Sequence, residues 1–455
     1  MRAARIATEE ISVSSAQLPV NDDKPIGTFT GEGVFADSAA LAAKLFGADE
    51  ALTLTYGSTF GNQLIARLLK RRGDYALIAA SSHHSVINAC VESGVEFCRV
   101  AFGYDAEFEA AKPPTPASLG EALRRHPTVT AVWLTSPTYE GATPREMKEL
   151  GDIVHEAGAI LIVDAAWGSH HAFHPDLPAF PTSLGADIAG TSLHKTGGAV
   201  QGAALLLINT KRIDDHDVLA LRDDKVSSSP SVNILASIDQ ALREMARRGR
   251  ALLEPTFNEI ALLQRYAVER LPGLDVWKAP AGCHTDPGRV TFSVARYALS
   301  GFEVRDRLVK LGVAPEKAGL RSIVFLCPFQ LRTGAAERTV EALATVLADR
   351  SVEEAVLPLG DPLAGTPERP LTDPGAVARL AADVGKRVPL AKAAGWIAAE
   401  SAELYPPGVS LLIPGFPIDR DAVEHLVMAE ARGGRIEVPG GFDGKVLVVD
   451  RRSIE

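Results

Sequence analysis

The chain has 455 residues, more than one compact core accommodates, and so points to two or three domains. Hydrophobic residues make up 46% and charged residues 23%, the balance of an ordinary soluble globular protein. Its 47 basic and 57 acidic side chains leave a formal charge of -10 with no basic run to offset it, which argues against nucleic acid or an anionic membrane as partner.

From Asp37 to Ile213 helical and strand signals alternate. Apolar spacing predicts a helix over 38–46, a strand over 51–55, a helix over 61–69 and strands over 75–79 and 95–100. A helix over 118–125, a strand over 131–134, a helix over 145–156 and a strand over 159–163 continue the series. Such alternation implies crossover connections and a mostly parallel α/β sheet, which binds ligands at the carboxyl ends of its strands. Residues 232–270 read as one or two long helices, with Ala236, Ile238, Ala241 and Leu242 on apolar faces. Strands over 289–294 and 322–327 with helices over 301–311 and 335–348 suggest a small α/β domain. A stretch rich in Pro and Gly over 356–370 reads as a linker. The expected division is an N-terminal segment 1–36, a large domain 37–272, a small domain 273–355, the linker 356–370 and a C-terminal domain 371–455.

Cys90, Cys98, Cys283 and Cys327 are scattered, without the close pairs of a zinc site or the density of a disulfide scaffold. The first ten residues lack the apolar core of a signal peptide, and apolar runs such as 202–208 are too short to span a bilayer. A soluble, cytoplasmic protein with free thiols is expected.

Lys195 lies in Thr191-Ser192-Leu193-His194-Lys195-Thr196-Gly197-Gly198, and Asp164 ends the apolar run Ala159-Ile160-Leu161-Ile162-Val163. A lysine behind Ser-x-His, preceded by a strand-end aspartate, matches the needs of pyridoxal phosphate: an amine for a Schiff base and an anion to keep the pyridine nitrogen protonated. Gly57-Ser58-Thr59 follows a strand and opens a helix, where backbone amides and hydroxyls can hold a phosphate; the same residue types also populate ordinary turns. The bland readings are that Asp164 merely caps a helix or turn and that His83 is a satisfied core histidine. His170, His171 and His174 cluster, but no acidic or cysteine residue accompanies them at ligand spacing in the sequence, and no metal is expected.

Together with the lysine segment, four further stretches in the same order resemble the Orn/Lys/Arg decarboxylase family of fold type I pyridoxal phosphate enzymes. They are Thr55-Tyr56-Gly57-Ser58-Thr59-Phe60-Gly61-Asn62-Gln63, Ser82-His83-His84-Ser85-Val86-Ile87-Asn88-Ala89, Thr135-Ser136-Pro137-Thr138-Tyr139-Glu140-Gly141, and Tyr405-Pro406-Pro407-Gly408 leading to Pro414-Gly415. The resemblance implies decarboxylation of a small basic amino acid (lysine, arginine or ornithine), with Lys195 carrying the cofactor and moving a proton at the α-carbon. It implies that Asp164 pairs with the pyridinium, that Ala166 packs on the ring and that Trp167 lines its edge. By the same resemblance Ser192 would join Gly57, Ser58 and Thr59 at the phosphate, and His83 would stack on the ring. His84 stands where the family has a lysine, and His194 supports the Schiff base or the substrate carboxylate. Ser229 would reach the neighbouring subunit's phosphate in a homodimer.

Two departures stand out. Longer members carry a Pro-Gly-His-Lys segment ahead of the core that this sequence does not contain, and Phe416 follows Pro414-Gly415 where the family has a glutamate. A cationic side chain needs a carboxylate partner, and Asp286, Glu140 and Glu316 are the candidates left open. The alternative reading keeps the scaffold and cofactor but changes the reaction, to an oxidase or deaminase, another lyase or an aminotransferase-like enzyme. A cofactor-free binding protein is disfavoured by the intact Lys195, Asp164 and phosphate turn.

Overall fold

The computed structural model describes residues 35–223, 230–327, 331–348 and 360–453. A helix α1 (Ala36–Phe46) precedes strand β1 (Glu50–Leu54), then helix α2 (Gly57–Arg72), strand β2 (Tyr75–Ala79), helix α3 (His84–Ser93) and strand β3 (Glu96–Val100). After helix α4 (Pro116–Arg125) come strand β4 (Ala131–Thr135), helix α5 (Met147–Glu156), strand β5 (Ile160–Asp164), strand β6 (Ile188–Ser192), the one-turn helix α6 (Leu193–Thr196) and strand β7 (Ala204–Ile208). Helices α2 and α3 both end on a left-handed glycine, Gly73 (φ 72°) and Gly94 (φ 70°), which turns the chain back into the sheet within three residues.

The seven strands lie in the order β1-β7-β6-β5-β4-β2-β3. Strands β6, β5, β4, β2 and β3 are mutually parallel, and β7 runs antiparallel between β1 and β6. Every residue of β5 and β7 is buried, so these strands read as unbroken apolar runs, as expected when helices cover both faces of a sheet. The expected α/β class with a mostly parallel sheet is what forms.

Helix α7 (Val232–Arg270) is one continuous helix of 39 residues in spite of Pro255 inside it. Its Leu235, Ile238, Leu242 and Met245 belong to the large-domain core, whereas Ile260, Leu263 and Ala267 belong to that of the small domain. The small domain holds strands β8 (Arg289–Ser293) and β9 (Ser322–Leu326) in a four-stranded sheet with 275–276 and 317–318. Helices α8 (Gly301–Lys310) and α9 (Ala335–Leu347) accompany it. A two-stranded ribbon, Cys283–Thr285 against Ala142–Pro144, fastens this domain to the loop after β4.

Two three-stranded sheets and the helices α10 (Pro374–Val384) and α11 (Arg420–Ala431) make up the C-terminal region. Its core of Leu390, Leu412, Leu426, Val446 and Val448 includes Ala80 of the large domain. A β-bridge between His83 and Val409 ties the two together. Among the described residues, no helix is long and apolar enough to cross a membrane.

Candidate active site

Strands β1, β2, β4, β5 and β6 all point their carboxyl ends to the same edge of the sheet, and the residues just beyond them line a cavity of about 470 Å³. From β1 come Gly57, Ser58 and Thr59, from β2 Ser81 and His83, and from β4 Pro137 and Tyr139. Strand β5 contributes Asp164, Ala166 and Trp167, and β6 contributes Ser192, His194 and Lys195. Every site residue expected from the sequence is therefore brought together except Ser229, which lies outside the described residues.

At the start of α2, Gly57 has a φ of 75° and its N–H donates to the Gly202 carbonyl at 2.8 Å. Tyr56 precedes the helix without capping it by its side chain. The positive helix end is thus left for an outside anion, and Ser192 Oγ meets Ser58 Oγ at 2.9 Å beside it.

Across the cavity, the buried Asp164 carboxylate accepts from the Ala166 N–H at 3.0 Å and from Asn62 Nδ2 at 3.4 Å. Burial pushes its carboxyl upward, and Lys195 with these two bonds pulls it back. Burial pushes the Lys195 amine down; Asp164 opposes that and Arg289 adds to it. A lysine so placed is easier to deprotonate and thus a better nucleophile. Its Nζ sits 4.3 Å from the centre of the Trp167 ring, which Tyr139 meets edge-on at 5.4 Å.

His83 caps α3: its Nδ1 accepts the Ser85 N–H at 3.2 Å. Burial, then His84 and Lys195, push it down to about 3, so the ring is neutral. Asn62 Nδ2 also donates to Ser85 Oγ at 2.9 Å, which links Asp164 to His83 through one polar chain. His84 turns away to Glu403 and does not line the cavity. His194 places Nδ1 at 2.9 Å from the Ala203 carbonyl, so Nδ1 carries the proton and Nε2 is the acceptor. Burial also lowers its pKa.

Arg289, at the head of β8, was not singled out by the sequence. Buried in the small domain, it donates to the Thr138 and Tyr139 carbonyls at 2.8 and 2.7 Å and to the Trp167 carbonyl at 2.8 Å. It thereby fixes both loops that carry the aromatic wall. The one signal for it was a charge at the start of a short strand that carries Val290 and Phe292. Asp286 pairs with Arg289 at 3.2 Å and with His170 Nε2 at 2.9 Å, and accepts the Gly288 N–H at 2.7 Å. Burial would raise the Asp286 carboxyl, but His170 and Arg289 hold it well below the usual carboxylate range.

Asp286 therefore does accompany the histidine cluster, contrary to the sequence reading: possible ligand atoms of His170, His171 and Asp286 lie within 4.8 Å of one another. The guanidinium of Arg289 already supplies the positive charge there. His174 stands apart, edge-on to Phe257 at 5.0 Å.

Of the three carboxylates left open, Asp286 is thus committed. Glu140 takes Lys317 Nζ at 2.7 Å, and Glu316 accepts the Tyr139 hydroxyl at 3.2 Å. Phe416 is buried in the large-domain core and stacks on Phe97 at 5.9 Å, outside the cavity. The substitution of a glutamate there removes no carboxylate from the pocket of this chain.

An uncapped helix start with hydroxyls, a buried carboxylate with only one short bond, a lysine whose amine burial pushes towards deprotonation and a cavity of this size form a donor set that fits pyridoxal phosphate with a small substrate.

The family model described as Orn/Lys/Arg decarboxylase, major domain, matches residues 19–281, and that of the C-terminal domain matches 363–446. An arginine decarboxylase of Bacillus subtilis is 27% identical over 401 residues, covering 87% of this chain and 81% of its own. Among solved structures, the constitutive lysine decarboxylase of E. coli superposes with a TM-score of 0.76 at 16% identity, over 93% of this chain and 74% of that one. Lysine decarboxylase A of Pseudomonas aeruginosa gives 0.76 at 20% identity, over 92% and 71%. These structures share the fold.

Proposed function

The chain belongs to the Orn/Lys/Arg decarboxylase family, and from that membership we propose that it removes the α-carboxylate of a basic amino acid as carbon dioxide, leaving the primary amine. The observation that carries this reading is the pairing of Lys195 and Asp164 across one cavity, each shifting the other's ionisation.

Bound pyridoxal phosphate supplies an electrophilic carbonyl and an electron-accepting ring that stabilises the pair left behind when carbon dioxide departs. Ser58, Thr59, Ser192 and the amides at the start of α2 would hold its phosphate. Asp164, an anion backed by Asn62 and the Ala166 N–H, would keep the ring nitrogen protonated. His83 and Ala166 would flank the ring, with Trp167 at its edge. The neutral His83 adds no positive charge that would compete with the ring for Asp164. Lys195 would offer the attachment amine and hold the proton that takes the place of the carboxylate on the α-carbon. Tyr139 and Trp167 would exclude water from that face, while His194 Nε2, being an acceptor, would take a hydrogen bond from an N–H group there rather than meet the substrate carboxylate. Ser229 at a partner's phosphate remains part of the proposal.

We also propose a homodimer in the cytoplasm. Two large side chains at the mouth of the cavity, Tyr56 and Tyr405, are 54% and 43% exposed, and a second copy would cover them. The domain division at 272/273 and around 356–370 is likewise proposed, supported by separate apolar clusters on either side.

The test is a product assay with lysine, arginine and ornithine, following carbon dioxide and retained amine together, with light scattering at the same concentration. Stoichiometric carbon dioxide and primary amine are expected from a dimer. A keto acid, ammonia or peroxide in place of them would overturn the reaction, and an active monomer the assembly.

A further inference from the structure

A second, smaller cavity of about 90 Å³ opens beside the first, and Thr135, Tyr139, Pro407 and Val409 line both. One water needs roughly 10–15 Å³, so the space admits a group of several heavy atoms. Its titratable lining includes Tyr104, Glu109, Glu140, Lys317 and His425, which come from widely separated parts of the chain.

The charges there do not balance. Glu140 receives Lys317 Nζ on Oε1, and among the described residues Oε2 has no hydrogen bond. Lys317 also donates to the Glu109 carbonyl at 2.8 Å. The Glu109 carboxylate is saturated by the N–H groups of Leu320, Arg321 and Ser322 and by Ser322 Oγ, so it faces the small domain as a fixed anion. Two carboxylates thus stand against one ammonium. His425 is 8% exposed and Tyr104 is part-buried; both line the cavity, and neither side chain has a hydrogen-bond partner among the described residues. Burial keeps the imidazole neutral and the phenol protonated. The cavity therefore presents a carboxylate oxygen, an imidazole nitrogen and a phenol oxygen, all without partners, in a buried setting of net negative charge. Such a setting favours a cation with several N–H donors. A guanidinium, with five donors in a plane, satisfies more of these acceptors at once than an ammonium does. Neither of the other two carboxylates competes: Asp286 is committed to Arg289 and His170, and Glu316 lines neither cavity.

We propose that this inner cavity receives the distal end of the substrate side chain, with Glu140 as its charge partner and His425 and Tyr104 as neutral acceptors, and that it is shaped for a guanidinium. The inference rests on the decarboxylase reading for the identity of the substrate.

The test uses cofactor-loaded enzyme and two variants. Ala111→Leu fills the cavity and leaves the ion pair intact, whereas the double variant Glu140→Gln, Lys317→Met removes both partners so that no buried charge is stranded. Binding of δ-guanidinovalerate, which has the side chain but no α-amino group and so binds without reacting, is measured by calorimetry. Kinetics with arginine and lysine run in parallel. Both variants should weaken δ-guanidinovalerate binding and raise KM for arginine by about 10- to 100-fold, the loss of a charge-assisted contact, with the cofactor's visible spectrum unchanged. Unchanged affinity and KM in folded, loaded variants would overturn the proposal. A preference for lysine with the same dependence on Glu140 would overturn the guanidinium. If the native enzyme binds δ-guanidinovalerate through Glu140 yet releases no carbon dioxide from any basic amino acid, the decarboxylase reading fails and the cavity assignment stands.

Discussion

Asp164 and Lys195 are moved in opposite directions by burial, the carboxyl up and the amine down, and each holds the other back. Replacing Asp164 by asparagine preserves an acceptor for the Ala166 N–H, so the fold should survive, but a neutral amide does not hold a proton on a pyridine nitrogen. Each pKa unit lost there is worth about 1.4 kcal/mol, a factor of ten, and kcat of loaded Asp164→Asn should fall at least ~100-fold. Near-native turnover with cofactor bound would assign that task elsewhere. Lys195→Ala should abolish turnover, and borohydride should fix the cofactor to the native chain at Lys195 but not to the variant, as read by peptide mass. Labelling at a different lysine would refute the assignment. Both residues were legible in the sequence because their signals are local: a charge ending an apolar strand, and a lysine in a small-residue segment. Arg289 was not, because its partners Thr138 and Trp167 are 151 and 122 residues away. Asn62 was quoted only as part of a motif, its bonds to Ser85 and Asp164 being invisible without the fold.

Where α3 begins, two elements remote in sequence interlock. The His84 N–H donates to the Gly408 carbonyl at 2.7 Å, and His83 bridges Val409. Gly408 has a φ of 78°, and a Cβ there would lie 3.1 Å from His83 Nε2. Gly408→Ala should therefore cost about 1–2 kcal/mol in backbone strain and displace His83. A lower Tm and weaker cofactor retention on dialysis are expected, whereas an unaltered Tm and retention would show that the junction yields freely. The alternation of helices and strands could be read from the sequence because buried strands between glycine-ended helices leave an unambiguous pattern. The edges moved where tertiary contacts decide them. Helix α2 begins at Gly57 rather than Gly61 because the anion-facing turn is already helical, and α5 begins at Met147 because Arg145 is held by the Gly282 carbonyl beside the inter-domain ribbon. Helix α7 runs unbroken through Pro255 because apolar clusters grip it on either side.

Across the molecule as a whole, burial holds two histidines on different elements, His83 and His171, in neutral form. His171 is pushed down to about 3 by burial and then by His170, and His83 to about 3 as well, from an ordinary value of 6.5. Between those limits the unfolded chain binds more protons than the folded one, so stability is complete above about 6.5 and is lost as the pH falls towards about 3. Urea unfolding should show a loss of several kcal/mol across that window, and His171→Gln should flatten the slope. A native profile level across the window would contradict it. The sheet and the cofactor face were legible from sequence because they lie within one run of alternating elements. The inner cavity was not, since its lining is drawn from residues as far apart in sequence as Tyr104, Lys317 and His425. The Arg289 contacts carry a consequence for synthesis. A nascent chain synthesised as far as α7 contains every strand of the seven-stranded sheet but lacks the arginine that fastens the aromatic walls, which is translated 122 residues after Trp167, and Val409 comes later still. A cavity with both walls in place therefore requires synthesis to have passed Arg289 and Val409.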